Sequence, residues 1–251
     1  MTLAEHLVEL RNRLLIAVVA VVVAMVVAYF LTEPFLDLIT APIREIAAER
    51  GEDAKVEVMY TTVTGPFDLM LRMTFAIGVI LAAPVWIWQI WAFIMPGLTK
   101  KEVRYTAAFM GAAIPLFAAG VATGLYLMPN IVRLMAEFLP AGTSAFYDAK
   151  FYYDFVLKLL LIVGLSYVLP VFLVGLNVAG VVSGRDILKA WRVAIVIAVT
   201  VAAIATPPAD VVSTFLLAGI LIVLFFAAAT LSLLFDRRRA RRDEAELGLP
   251  S

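Results

Sequence analysis

The sequence predicts an all-α integral membrane protein with six transmembrane helices, bent and tilted, and with both termini in the cytoplasm. Three observations carry that reading. Hydrophobic residues make up 63% of the chain and charged residues only 16%, and the mean hydropathy is +0.98. A soluble domain holds roughly 45–50% apolar and ~25% charged residues. The apolar residues fall in long blocks, near the ~20 residues that cross ~30 Å of hydrocarbon. Lysine and arginine are shared unevenly between alternate connections, which fixes orientation.

The first block, 14–31, follows a charged start that holds Glu5, Glu9, Arg11 and Arg13. It is longer than the ~7–15 residues of a signal-peptide core and reads as a retained span. The connection 32–68 is long and acidic, punctuated by Pro34, Pro42, Gly65 and Pro66. Within it, 41–49 suits a short helix with Pro42 at its start, and the β-branched stretch 56–62 suits extended chain. The second span, 69–93, contains Pro84. The third, 105–127, contains Pro115, and the fourth, 151–176, contains Pro170. Each proline removes a helix hydrogen bond and bends its helix. The fifth span, 191–205, is about 22 Å long at 1.5 Å per residue, so the bilayer beside it thins or neighbours shield it. A tight turn, TPPAD at 206–210, leads to the sixth span, 211–235. Residues 1–235 thus form a single transmembrane domain. The charged tail 236–251 is expected to be disordered beyond its first residues.

Arg11, Arg13, Lys100, Lys101, Arg104, Arg185, Lys189, Arg192 and five arginines within 237–242 fall on one side. Arg44, Arg50, Lys55, Arg133 and Lys150 fall on the other. Thirteen against five places the N-terminus and the tail in the cytoplasm. Arg72 and Lys158, at the starts of two spans, can snorkel to the outer face.

The chain has no cysteine and one histidine, His6. That leaves no disulfide, thiolate or clustered-histidine chemistry, and no hydrolase, metalloprotease or nucleotide-binding motif is present. No enzyme activity, cofactor, metal or nucleic-acid partner is expected. Two function classes stand. A small-solute or ion-coupled secondary transporter places ionisable groups near the midplane, whereas the middles of these blocks are nearly free of charge. A receptor and scaffold for other proteins suits bent helices, one short span and acids on a basic cytoplasmic face.

Two of those acids stand out. Glu9 precedes Arg13 by four residues, the spacing of an intrahelical ion pair worth about 0.2–0.5 kcal/mol. Glu102 lies among Lys100, Lys101 and Arg104 and is the only acid between Asp68 and Glu137. Each is by default a solvated helix end. Together they could form an anionic pocket, which suits a guanidinium because it forks bidentately onto carboxylate. Trp86, Trp88 and Trp91 read as an interfacial belt, and Phe93 fits that belt or a recognition role equally. Pro42, Pro96, Pro207 and Pro208 shape loops. Asp210 caps the sixth span, and the tail arginines anchor on anionic lipid.

Several blocks resemble the TatC family, the receptor subunits of twin-arginine protein translocation. They are EHLVELRNRLL (5–15), TAPI (40–43), GPF (65–67), APVWIWQIWAFIMPGLTKKEVR (83–104) and TPPAD (206–210). The resemblance implies six helices in a concave, glove-like arrangement in a bacterial or archaeal cytoplasmic membrane. It implies a receptor that binds signal peptides bearing paired arginines on folded cargo. It also implies TatB- and TatA-type partners, other copies of the chain, and export driven by the proton-motive force. Glu9 and Glu102 match acidic positions linked to the arginine pair, and Arg11, Arg13 and Arg104 match basic positions of the same motifs. Pro42, Phe67, Phe93, Pro96 and Asp210 match other sensitive positions. Val168 departs from the family pattern, which often places Glu or Gln there, and predicts a drier cavity beside the fourth span.

Overall fold

A computed structural model of the chain describes residues 3–50, 56–94, 100–140, 143–178, 180–206 and 211–246. Eight helices and two short strands follow in the order α1 (Leu3–Arg50), β1 (Val56–Met59), α2 (Gly65–Leu81), α3 (Ala83–Ile94), α4 (Lys100–Glu137), β2 (Ala145–Asp148), α5 (Ala149–Val178), α6 (Gly184–Lys189), α7 (Trp191–Ala205) and α8 (Val211–Glu246). They form two units. One holds Met1–Gly97 and Val121–Val163, the other Leu98–Gly120 and Gly164–Ser251, so α4 and α5 each contribute to both.

In the first unit, α1 is longer than the sequence suggests. The expected span, the first part of the loop and the expected short helix at 41–49 join into one helix of 48 residues with Pro34 and Pro42 inside it. Each proline forfeits a backbone bond, and each follows a threonine by two positions. Thr32 Oγ1 donates to the Ala28 carbonyl at 2.8 Å and Thr40 Oγ1 to the Leu36 carbonyl at 2.6 Å. The same hydroxyls meet neighbouring helices, Thr32 at Thr74 of α2 (3.1 Å) and Thr40 at Tyr153 of α5 (3.1 Å). In a medium without water such groups bond to one another or stay unsatisfied. Gly78 lets α2 approach α1 closely, since a Cβ there would lie 2.8 Å from Met25 Cγ and 3.3 Å from its Cα. Gly124 plays the same part between α4 and α5, against Leu160.

The second expected span is two helices. The chain bends by 58° between α2 and α3, where Ala82 ends one helix and Pro84 opens the next. Trp86 Nε1 crosses the break to bond the Val79 carbonyl at 2.9 Å. At the far end of this unit the extended stretch is β1, which pairs in parallel with β2 in the register Val56↔Ala145 to Met59↔Asp148. Thr61 donates to Asp148 at 2.7 Å. That bond, with the Phe151 N–H and Lys150 behind it, holds the Asp148 carboxyl below its ordinary pKa. Arg72 pairs with Asp68 at 2.8 Å, and Arg133 with Glu45 at 2.7 Å.

In the second unit, α7 spans the residues assigned to the fifth span and has 15 residues. Thr206 after it bonds Thr214 of α8 at 2.5 Å. The connection before it carries α6, which the sequence left as loop. Ser183 caps α6 by accepting the Asp186 N–H, and Asp236 of α8 accepts from the Gly184 N–H (2.6 Å) and from Asn177 Nδ2 (2.9 Å). α8 continues through Glu246, so the expected tail is helical over 236–246, well beyond its first residues, as its Arg, Ala and Glu content favours. Among the described residues four helices are long and apolar enough to span a membrane, the bent pair α2–α3 meets the same test only when its two helices are taken together, and α7 is apolar but shorter.

Candidate functional site

His6, Glu9 and Arg13 sit at i, i+3 and i+7 on α1 and share one face. Gln89 and Phe93, at i and i+4, share one face of α3. The two faces meet within the first unit. The His6 ring stacks on Phe93 with centroids 4.5 Å apart and planes 20° from parallel. Seven residues along α1, Arg13 Nη1 reaches Gln89 Oε1 at 3.5 Å. Between these contacts lies Glu9. Its Oε1 accepts from Arg13 Nε at 2.9 Å and from Nη2 at 2.6 Å. The side chains of Arg13 and Glu9 keep only 26% and 18% of their exposure.

That shelter separates this ion pair from an ordinary helix-surface pair, which contributes little. Glu9 Oε2 is buried and has no hydrogen-bond partner among the described residues. A buried acceptor left unmet costs about 1–3 kcal/mol. The arrangement is therefore a half-satisfied carboxylate beside a neutral amide oxygen, with an aromatic wall. Such a set complements the shape and charge of a planar cation with several N–H donors.

Of the residues singled out by sequence, Glu9, Arg13 and Phe93 come together here. Arg11 points away, exposed, and bonds its neighbour Asn12 at 3.2 Å. Pro42 is buried inside α1. Phe67 stands in the first turn of α2 and is 69% exposed. Glu102 and Arg104 belong to α4, but their side chains lie outside the described residues, as do Pro96 and Asp210 entirely. Sequence reasoning missed His6 and Gln89 as site residues. The signal was present in the helical spacings 6, 9, 13 and 89, 93, but only the packing of α1 on α3 shows that the two faces belong together.

Long apolar helices, with proline inside α1 and α5, define a polytopic helical membrane protein. Residues 5–219 match the family described as Sec-independent protein translocase protein (TatC). The chain is 38% identical to the Sec-independent protein translocase protein TatC of Xylanimonas cellulosilytica, over 96% of this chain and 87% of that protein. It is 37% identical to that of Rothia mucilaginosa, over 96% and 82%. Its fold is similar to a crystal structure of the twin-arginine translocase receptor TatC in detergent, with TM-score 0.77 and 26% identity over 90% of this chain and 99% of the other. The chain belongs to the TatC family, membrane components of Sec-independent protein transport. These matches do not favour the small-solute carrier.

Proposed function

We propose that this chain is the receptor and core subunit of a twin-arginine translocation system. It binds the signal peptides of folded cargo at the cytoplasmic surface of a bacterial or archaeal inner membrane. It gathers TatB- and TatA-type single-span partners and further copies of itself for export driven by the proton-motive force. It crosses the bilayer six times, both termini inside, with α2–α3 as one bent crossing and the short α7 as the fifth. The basic side chains of alternate connections support that orientation.

The observation that carries the reading is the sheltered Glu9 carboxylate, one oxygen of which no described residue claims. Glu9 and Glu102 together receive the paired arginines. A guanidinium makes a planar two-point contact with carboxylate that an ammonium cannot reproduce. Arg11, Arg13 and Arg104 repel cations that lack this match, and Phe93 forms an apolar wall for the peptide. Phe67, Pro96 and Asp210 support the loops and helix ends, and Pro42, buried inside α1, shapes that helix.

The test is signal-peptide affinity of the purified receptor, measured with RR and KK peptides. Glu9→Ala and Glu102→Ala should each weaken RR binding by about 10- to 150-fold, the loss of one charge-assisted contact of about 1.5–3 kcal/mol. Assembly should stay intact. If both variants hold RR as the wild type does, or every form binds KK equally well, recognition lies elsewhere.

A further inference from the structure

We infer that Glu9 and Gln89 together form a guanidinium cradle that Arg13 fills in the free receptor, and that a ligand arginine takes the same place by displacing Arg13. The inference rests on the receptor reading above and adds to it a second acceptor and a resident competitor. Arg13 itself shows that the cradle fits a guanidinium. Nε and Nη2 address Glu9 Oε1 at 2.9 and 2.6 Å, and Nη1 addresses Gln89 Oε1 at 3.5 Å. All three nitrogens of one planar group are thus turned toward the two acceptors. The acceptors come from different helices, so neither α1 nor α3 alone makes the site.

The resident fit is imperfect. The contact to Gln89 is long for a hydrogen bond, and both bonds to Glu9 fall on one oxygen while Oε2 is enclosed and unmet among the described residues. Arg13 is tethered to the same helix as Glu9, four residues on, and that tether sets its angle of approach. An arginine on a separate peptide has no such restraint. It can lie across both carboxylate oxygens in the fork geometry and tighten the third contact to Gln89. Arg13 must leave for this to happen, which also opens the enclosed oxygen. A lysine ammonium is a compact point charge and gains little from Gln89. Gln89 is therefore a residue that sets specificity for arginine over lysine, and Arg13 sets the threshold a ligand must exceed.

The experiment uses full-length receptor in nanodiscs and labelled signal peptides bearing RR or KK. Gln89→Leu, which removes the acceptor, should weaken RR binding about tenfold or more and change KK binding by less than about twofold, so that discrimination narrows. Gln89→Glu should restore RR binding. Arg13→Lys keeps the charge but makes a poorer competitor, and should tighten RR binding several-fold. Should Gln89→Leu not fold, Gln89→Met, close in length and without a strong acceptor, serves in its place. Gln89 variants that bind RR as the wild type does, or that lose RR and KK by one factor, overturn the cradle. Weaker RR binding by Arg13→Lys overturns the displacement. Glu9→Ala runs alongside. If it loses RR while the Gln89 variants do not, the inference alone fails. If neither loses RR, the receptor reading fails at this site as well.

Discussion

Single residues decide how closely the helices approach, and glycines make the clearest case. A Cβ on Gly184 would meet the backbone of α8, 2.6 Å from Leu233 N and 2.8 Å from Ser232 C. On Gly78 it would meet Met25, part of it a flexible side chain. Gly111 and Gly219 have open space around the same position. Thermal unfolding in detergent should therefore rank the alanine variants. Gly184→Ala should lose most, Gly78→Ala less, by about 1–3 kcal/mol as for overpacked cores. Gly111→Ala and Gly219→Ala should gain about 0.5–1 kcal/mol from helix propensity. A Gly184→Ala variant as stable as the wild type would show that α6 does not rest on α8 in this way. Val168 and Leu169 give a second contrast, at 3% and 53% exposure. Val168 faces protein, so Val168→Glu should still insert and fold, while Leu169→Glu should suffer the ~2.5–3.5 kcal/mol of a lipid-facing charge. Membrane-inserted yield of the two variants checks this, and equal losses would remove the distinction between them.

At the scale of elements, the β1–β2 pair and α7 each carry a prediction. Asp148 closes β2 and is held below its ordinary pKa of 3.8, mainly by the Thr61 hydroxyl. A depressed carboxyl contributes stability above the unfolded-state pKa and loses it as pH falls through the folded value. Protection of the 145–148 amides from hydrogen exchange should hold above pH ~4 and fall below it. Thr61→Val should move that fall upward toward the ordinary carboxylate value, and an unmoved transition would assign it to another group. α7 is too short for the hydrocarbon core and is two-faced, with Ala198 and Ala202 buried and Val196, Ile197 and Val199 exposed. We expect cysteines at Val196, Ile197 and Val199 to crosslink to a partner's single helix in the assembled complex, and cysteines at Ala198 and Ala202 not to. A pattern with no face preference, in active protein, would count against docking on α7.

For the whole molecule, the proposed six crossings make a direct claim about sidedness. Reporter fusions after Pro140 and after Ser251 should report opposite sides of the membrane. If both report the same side, the six-crossing topology is wrong. The site shares this dependence on orientation, because Glu9, five residues before the first apolar run, meets a cytoplasmic peptide only if the N-terminus is inside.

Composition and hydropathy pattern determined much of this protein's secondary structure without help. Apolar blocks of bilayer length can be satisfied in lipid only as helices, so the helical regions were legible, α7 residue for residue. The extended stretch that became β1 was legible from its β-branched residues, and Glu9 from its charge among the basic positions. Tertiary structure decided the rest. Pro34 and Pro42 signal breaks, yet α1 runs through both, with Thr32 and Thr40 beside them reaching α2 and α5. The parallel partner of β1 lies 89 residues along the chain in the register Val56↔Ala145, a pairing no local pattern encodes. Gln89 and His6 joined the site only because α3, bent 58° from α2, lies against the first turns of α1. A residue's own helix spacing is fixed by its neighbours in sequence. Which other face it meets is fixed by packing between helices, and that is where the cradle around Glu9 is made.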